Sequence, residues 1–254
     1  MKPPSTPLGK FAILLGGASR LAGTALVRML TPPFQVREVV RQLERIGVGS
    51  VNLTNVTALF TGMVLALQTA YTLSAFGARL FIGEVVAMSL VRELGPVLTA
   101  LMVGGRVGSG ITAELGTMAV TEQVDAMRSM AADPVRKLVA PRVWATLISL
   151  PLLTILADTM GILGGLLISV FEEHSTATFY FRHVFRLMDF NDLGSGLGKT
   201  VFFAFLIAVI GCYNGINARG GADGVGRATT NTVYAAAICV LVSDFFLTKL
   251  FLTL

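Results

Sequence analysis

The sequence has few charged residues. Lysine, arginine, aspartate and glutamate make up 14% of its 254 residues, against about 25% in ordinary soluble domains. Hydrophobic residues make up 54%, and no polar stretch is long enough to fold as a separate soluble unit. The composition excludes an ordinary soluble enzyme and predicts a single membrane domain over residues 1–254, with an N-terminal region (1–45) and a core (46–254).

Cysteine and histidine are also scarce, with two residues of each type. Cys212 and Cys239 lie inside apolar runs, which does not suggest a disulfide framework. His174 and His183 match no metal-ligand spacing, and no serine, histidine and acid arrangement is recognisable. We therefore expect neither a metal site nor a cofactor on this chain, and no catalytic activity of its own.

The formal net charge of +5 is the one feature that would suit nucleic-acid binding. However, the basic residues flank apolar stretches instead of forming one patch with interleaved aromatic residues. We interpret them as signals of membrane topology and expect no nucleic-acid partner.

Five apolar windows are long enough to cross a bilayer, which takes about 20 residues of helix. They cover approximately residues 48–75, 85–111, 143–171, 199–219 and 227–249. The predicted fold is therefore an all-α integral membrane protein with five transmembrane helices. Residues 9–30 carry Arg20 and Arg28 within an apolar segment, which favours an interfacial amphipathic helix over a signal peptide.

Lysine and arginine are distributed unevenly about these windows. Fourteen lie on flanks and connections that would share one side, and six on the other. Because cytoplasmic loops carry the excess, we expect the N-terminus in the cytoplasm and, after five spans, the C-terminus in the periplasm.

The connection of residues 114–142 predicts a cytoplasmic helix that Thr121 caps and Pro134 ends. Acidic residues suit its first turn, and apolar residues share one of its faces. These residues are Glu122 and Asp125, and then Val124, Met127 and Met130 or Ala131. The other long connection, residues 172–198, is rich in aromatic residues and predicts an interfacial element.

The segment GSGLGKT at residues 194–200 superficially suggests a phosphate-binding loop. The first glycine of that motif would fall at Leu193, and no strand precedes the segment. We interpret it as a flexible entrance to the fourth span and expect that the chain does not bind ATP.

Arg92 and Glu93 lie close to or inside the second apolar window. A charge at mid-helix costs at least about 2.5 kcal/mol on insertion scales, which makes both residues functional candidates. For Arg92, an interfacial position with a snorkelling side chain is an equal alternative. Glu93 precedes Pro96, which would bend the helix. Glu93 would either bind a moving head group or pair with Arg92 or Arg106 and so hold two copies of the chain in one state.

Other features leave structural and functional interpretations open. Small residues at four-residue spacing, at 100–108 and 161–165, predict close helix packing. Asp158 and Asp244 are lone acids in apolar spans. Each would either form a structural pair or help to hold a polar pathway. Four residues near the end of the first span would line a lipid pathway or face bulk lipid: Leu65, Thr72, Leu73 and Phe76.

Several separated motifs occur in an order typical of one family. They are RELGPVLTALMVGGRVGSGITAELGTMAVTEQVDAM (92–127), DPVRKLVAPRVWA (133–145), SLPLLT (149–154), GMVLALQ (62–68) and GRATTNTV (226–233). Together they closely resemble the MlaE-type permeases of MCE-associated ABC transporters, over nearly the whole chain from about Gln42.

The resemblance implies a homodimer in the bacterial inner membrane that transports phospholipid. Two cytoplasmic ATPase subunits would bind ATP and Mg, and a periplasmic hexamer of MCE-domain protein would receive or supply the lipid and so maintain outer-membrane asymmetry. Leu94 joins Arg92 and Glu93 in the implied lipid pathway. The implied coupling residues are Glu122, Val124, Asp125, Met127, Arg128, Met130 and Asp133.

Two other functions are alternatives to an ATP-driven permease. One is a secondary transporter or channel driven by an ion gradient, and the other is an assembly scaffold.

Overall fold

The computed structural model describes residues 7–172 and 175–253, so that His174 lies outside it. The described chain is helical and contains no strand. Its helices are α1 (Pro7–Leu30), α2 (Val36–Ser74), α3 (Ile82–Val120), α4 (Gln123–Ser129), α5 (Val135–Phe171), α6 (Ala177–Leu187), α7 (Phe190–Ile216) and α8 (Gly221–Thr253).

Five of these helices, α2, α3, α5, α7 and α8, are long and apolar enough to cross a membrane. Each of them covers most or all of one apolar window, so the all-α class is confirmed and the five predicted spans correspond to five candidate spans. The helices extend beyond the windows. α2 begins at Val36, because Arg37, Arg41 and Arg45 interrupt the apolar window without interrupting the helix, since arginine has a high helix propensity.

The segment at residues 194–200 lies inside α7, which begins at Phe190. The prediction of a flexible entrance is therefore wrong. Gly196 lies directly against the backbone carbonyl of Val91, where a Cβ atom would overlap with the oxygen. This glycine permits close packing of α7 on α3.

The predicted helix between the second and third spans exists as α4, but its predicted ends are wrong. The hydroxyl of Thr121 donates to the carbonyl of Thr117 within α3 and does not cap α4. The helix ends at Ser129, and Ala131 follows with a φ of 57°. Pro134 instead precedes the first residue of α5, where a missing N–H costs little.

The chain divides into two compact units. The first unit comprises the chain up to Ile46, Gly104–Leu147 and Ala204–Cys239. Its helices are joined by buried hydroxyl groups: Thr112 donates to the carbonyl of Gly211 (3.0 Å) and lies 2.8 Å from the hydroxyl of Thr232. Glu114 also binds two arginines, Arg45 and Arg142, each at 3.0 Å.

The second unit comprises Gly47–Val103, Ile148–Phe203 and the chain from Val240. Gly62 of α2 lies against the carbonyl of Gly161 of α5, without room for a Cβ atom, which confirms close packing at the second small-residue stretch. The Tyr180 hydroxyl of α6 donates to the carbonyl of Ile162, and burial raises the pKa of this phenol. His183 also lies 3.0 Å from Glu84.

Candidate functional site

Lys199 of α7 is the centre of a charged cluster in the second unit. Its side chain is only 2% exposed, which would be costly for an unpaired ammonium group. The ammonium nitrogen lies 2.8 Å from a Glu93 carboxylate oxygen and 3.3 Å from an Asp244 carboxylate oxygen. Two acids from α3 and α8 therefore share one buried cation.

Thr248 and a backbone carbonyl complete the surroundings of this cation. Lys199 donates to the Thr248 hydroxyl (2.6 Å) and to the Arg92 carbonyl (3.1 Å). Thr248 in turn donates to Glu93, at 3.1 and 3.3 Å from its two oxygens. Glu93 is thus bound from two helices, although 40% of its side chain is exposed.

Pro96 explains why a backbone carbonyl is available in the middle of α3. Proline has no N–H, so the carbonyl of Arg92, four residues earlier, loses its usual helical donor. The helix also forms a π turn at Leu90–Leu94, a geometry that is frequent at functional sites. Lys199 supplies the missing donor.

Arg92 forms a second ion pair at the same site. Its guanidinium Nε and Nη2 lie 2.7 and 2.6 Å from the same oxygen of Asp192, near the start of α7. Within the chain, the ion-pair partner of Glu93 is Lys199. The expected pairing of Glu93 with Arg92 or Arg106, which would hold two copies of the chain in one state, stays a prediction. Arg92 and Glu93 are neighbours on one helix, and each contacts an oppositely charged residue of α7.

A cavity of about 510 Å³ adjoins both ion pairs. Charged and polar groups form much of its wall, together with the aromatic rings of Phe190 and Phe251. The remaining wall residues are Arg92, Glu93, Asn191, Asp192, Gly194, Ser195, Lys199 and Thr248. The cavity thus offers both charge signs and aromatic surface to one ligand.

The other predicted pathway residues are not in the wall of this cavity. Leu65, Leu73 and Leu94 pack against a buried apolar cluster in the second unit. Thr72 is exposed and donates to the carbonyl of Gln68, and Phe76 is 79% exposed beyond the end of α2. Whether these residues contact transported lipid stays a prediction.

Asp158 and Asp244, the two acids predicted to be isolated in apolar spans, differ in whether they have a charged partner. Asp244 is not alone, since it pairs with Lys199. Asp158 of α5 is buried against Gly95, and its Oδ1 has no hydrogen-bond partner within the described chain.

The predicted coupling residues occupy several environments. Asp125 and Arg128 form an exposed ion pair of 2.7 Å on α4, and Glu122 precedes this helix with a φ of 59°. Met127 is half-buried and Met130 is exposed, whereas Val124 is buried within the chain. Asp133 accepts from the N–H of Val135 and pairs with Arg28 at 2.7 Å.

Sequence reasoning does not identify Lys199, Asp192 and Thr248 as parts of the site. Lys199 stands at the edge of the fourth apolar window, yet the helix continues through it. The useful signal is a lysine followed directly by a long apolar stretch, because such a cation requires acidic partners, and Glu93 and Asp244 lie in other apolar spans.

Comparison with known proteins agrees with this architecture. The family model described as Permease MlaE matches residues 39–250. A probable ABC transporter permease protein of Rickettsia felis is 43% identical over 242 residues, which cover 95% of this chain and 93% of that protein.

Two further relatives come from distant organisms. The intermembrane phospholipid transport system permease protein MlaE of Haemophilus influenzae is 40% identical over 248 residues, covering 96% of this chain and 95% of that protein. The chloroplastic protein TRIGALACTOSYLDIACYLGLYCEROL 1 of Arabidopsis thaliana is 36% identical over 231 residues, covering 91% of this chain and 66% of that protein. With five membrane-spanning helices and a family match over most of its length, the chain belongs to the MlaE permease family.

Proposed function

We propose that this chain is the permease subunit of an ATP-driven ABC transporter that moves phospholipids between the inner membrane and a periplasmic MCE-domain partner. The observation that carries the proposal is the cluster around Lys199 beside the cavity of about 510 Å³. Charged groups inside membrane spans are costly and mark pathways for polar cargo. The names of the Rickettsia and Haemophilus relatives support an ABC permease and a phospholipid cargo.

The chemistry of the cavity suits a phospholipid headgroup. A phosphate carries negative charge, for which the Arg92 guanidinium and the Lys199 ammonium are natural partners. An amine on the headgroup would bind the Glu93 carboxylate, and Phe190 and Phe251 offer apolar contacts. The headgroup would bind beside these ion pairs while each charged side chain keeps its partner in the protein, so that binding leaves no buried charge unpaired.

In the proposed orientation the N-terminus is cytoplasmic and the C-terminus periplasmic, as the lysine and arginine distribution favours. The helix α4 would then face the cytoplasm and dock on an ATPase subunit through its exposed residues Asp125 and Arg128, together with Met130, which directly follows the helix. ATP and Mg would bind to that partner. A second copy of this chain would complete the lipid pathway, and transport would maintain outer-membrane lipid asymmetry.

Purification of the tagged chain from its native membranes in mild detergent tests this proposal. We expect an ATPase chain and an MCE-domain protein to co-purify, and a mass spectrum of the extract to identify bound phospholipid. A chain that purifies without an ATPase and takes up substrate in response to an ion gradient alone would contradict the proposal. That result would favour a secondary transporter, which intramembrane charges also suit.

A further inference from the structure

A second cavity lies in the first unit and has a mainly apolar wall. Its volume is about 290 Å³, close to the lower end of ligand pockets, about 300 Å³. Residues from the end of α1, the start of α2 and the start of α5 form the wall. Its apolar residues include Met29, Phe34, Val36, Pro141 and Trp144.

Two arginines, Arg28 and Arg136, belong to the same wall. Arg28 is balanced by Asp133 at 2.7 Å. Arg136 donates from Nη2 to the neutral hydroxyl of Thr31 at 3.2 Å, and its buried Nε has no hydrogen-bond partner within the described chain. Because Arg136 lies in the wall of the cavity and pairs with no carboxylate among the described residues, its guanidinium has positive charge to offer a ligand.

The geometry points to a binding site for an anionic phospholipid, separate from the cargo cavity, in which an acyl chain packs against Trp144 and Pro141 and the phosphate binds Arg136. Charge complementarity selects this occupant. An acyl chain matches the apolar wall, and a phosphate oxygen is a strong acceptor for a guanidinium donor. Basic pockets between membrane helices recognise anionic headgroups in this way.

This lipid would act as a structural ligand. The cavity is formed where α1, the break before α2 and the first turns of α5 meet, and a bound lipid would join these segments. The inference extends the proposed function, because the bound lipid is a fixed component and is not transported. It also stands independently of whether ATP drives transport.

The chain contains a single tryptophan, and this residue, Trp144, lies in the wall of the cavity. The full chain can therefore be reconstituted in phosphatidylcholine vesicles and titrated with phospholipid that carries bromine on its acyl chains, which quenches tryptophan fluorescence on contact. We expect brominated phosphatidylglycerol to reach half-maximal quenching at about fivefold lower mole fraction than brominated phosphatidylcholine. That factor corresponds to about 1 kcal/mol for one basic residue at the membrane surface.

Arg136→Gln should remove this preference, while Lys137→Gln should keep it, because Lys137 is exposed and is not in the wall of the cavity. Equal quenching by both lipids would identify Trp144 as a reporter of annular lipid and overturn the inference. Absence of quenching by either lipid would mean that protein covers the cavity, and this result would also overturn the inference. An equal loss of the phosphatidylglycerol preference in the two variants would overturn it as well. If Arg136→Gln lowers the yield of folded protein, the comparison of the two lipids on the unaltered chain still decides.

Discussion

Lys199 links three helices through one side chain. Its ammonium group contacts Glu93 and the Arg92 carbonyl on α3, and Asp244 and Thr248 on α8. A methionine of similar length would leave two acids without their cation. Removal of one partner from a buried ion pair costs about 3–5 kcal/mol.

Lys199→Met should therefore lower the thermal denaturation temperature of the detergent-solubilised protein markedly, by the equivalent of about 3 kcal/mol, the lower end of that range. The lower end applies because the Glu93 side chain is 40% exposed, so that water partly solvates its carboxylate when the lysine is removed. Lys249→Met is the matched control, since Lys249 is exposed on α8. Equal denaturation temperatures for the two variants would contradict a central role for Lys199.

Both Glu93 and Lys199 lie in the wall of the cavity, but 40% of the Glu93 side chain is exposed, against 2% of the Lys199 side chain. Glu93→Ala should lower the number of lipids transferred per ATP hydrolysed, by roughly tenfold if one charged hydrogen bond of about 1.5–3 kcal/mol is lost from the rate-limiting step. Glu93→Gln should have a smaller effect, because an amide oxygen still accepts from Thr248 and Lys199.

This measurement requires purified complexes of equal thermal stability, so that a folding defect does not count as a transport defect. Glu172→Gln serves as control, since Glu172 is an exposed acid beyond the end of α5. Wild-type stoichiometry in both Glu93 variants would mean that this residue is structural only.

At the scale of elements, the five spans are predictable because each contains a long apolar window. The ends of the helices are not predictable in this way. Arg37, Arg41 and Arg45 interrupt the hydropathy signal, yet arginine and lysine have high helix propensities and are compatible with a continued helix. The same reason explains why the fourth apolar window begins at Lys199 although α7 begins at Phe190.

The contact between α7 and α3 should depend on Gly196. A Cβ atom at this position would overlap with the Val91 carbonyl, which is fixed backbone. Gly196→Ala should destabilise the protein by about 1–3 kcal/mol, the usual cost of overpacking. Thermal denaturation in detergent measures this effect.

Gly194 provides the matched control two residues earlier in the same helix. Apart from the neighbouring backbone of α7 itself, no heavy atom of the described chain lies within 4 Å of a Cβ placed there, so Gly194→Ala should be neutral or stabilise by about 0.5–1 kcal/mol through helix propensity. Similar denaturation temperatures for the two alanine variants would show that α7 does not pack on α3 as described.

The exposed ion pair on α4 should serve the ATPase contact rather than the fold. Asp125 and Arg128 are more than half exposed, and such pairs contribute about 0–1 kcal/mol to stability. Replacing both with alanine should leave the denaturation temperature unchanged and weaken ATPase association at least about tenfold, equivalent to about 1.4 kcal/mol. Association is measured by co-purification and titration of the ATPase.

Gln123→Ala is the control for that double variant, because Gln123 is exposed on the same helix and is uncharged. Unchanged ATPase binding and unchanged transport in the Asp125 and Arg128 variant would contradict the coupling role of α4.

At the scale of the whole molecule, the sequence indicates two members of the candidate site but not their partners. Arg92 and Glu93 are identifiable because charged side chains are conspicuous in an apolar window. Their partners, Asp192 and Lys199, lie about a hundred positions further along the chain. Periodicity and composition describe each helix separately, whereas the pairing depends on how the helices pack together.

The central claim concerns the source of energy and the nature of the cargo. The most direct test reconstitutes the purified complex in vesicles and follows transfer of labelled phospholipid to the periplasmic partner. We predict that transfer requires ATP hydrolysis, stops when a non-hydrolysable ATP analogue replaces ATP, and continues after the ion gradients are dissipated. Transfer that persists without ATP and follows an imposed ion gradient would contradict the proposed function.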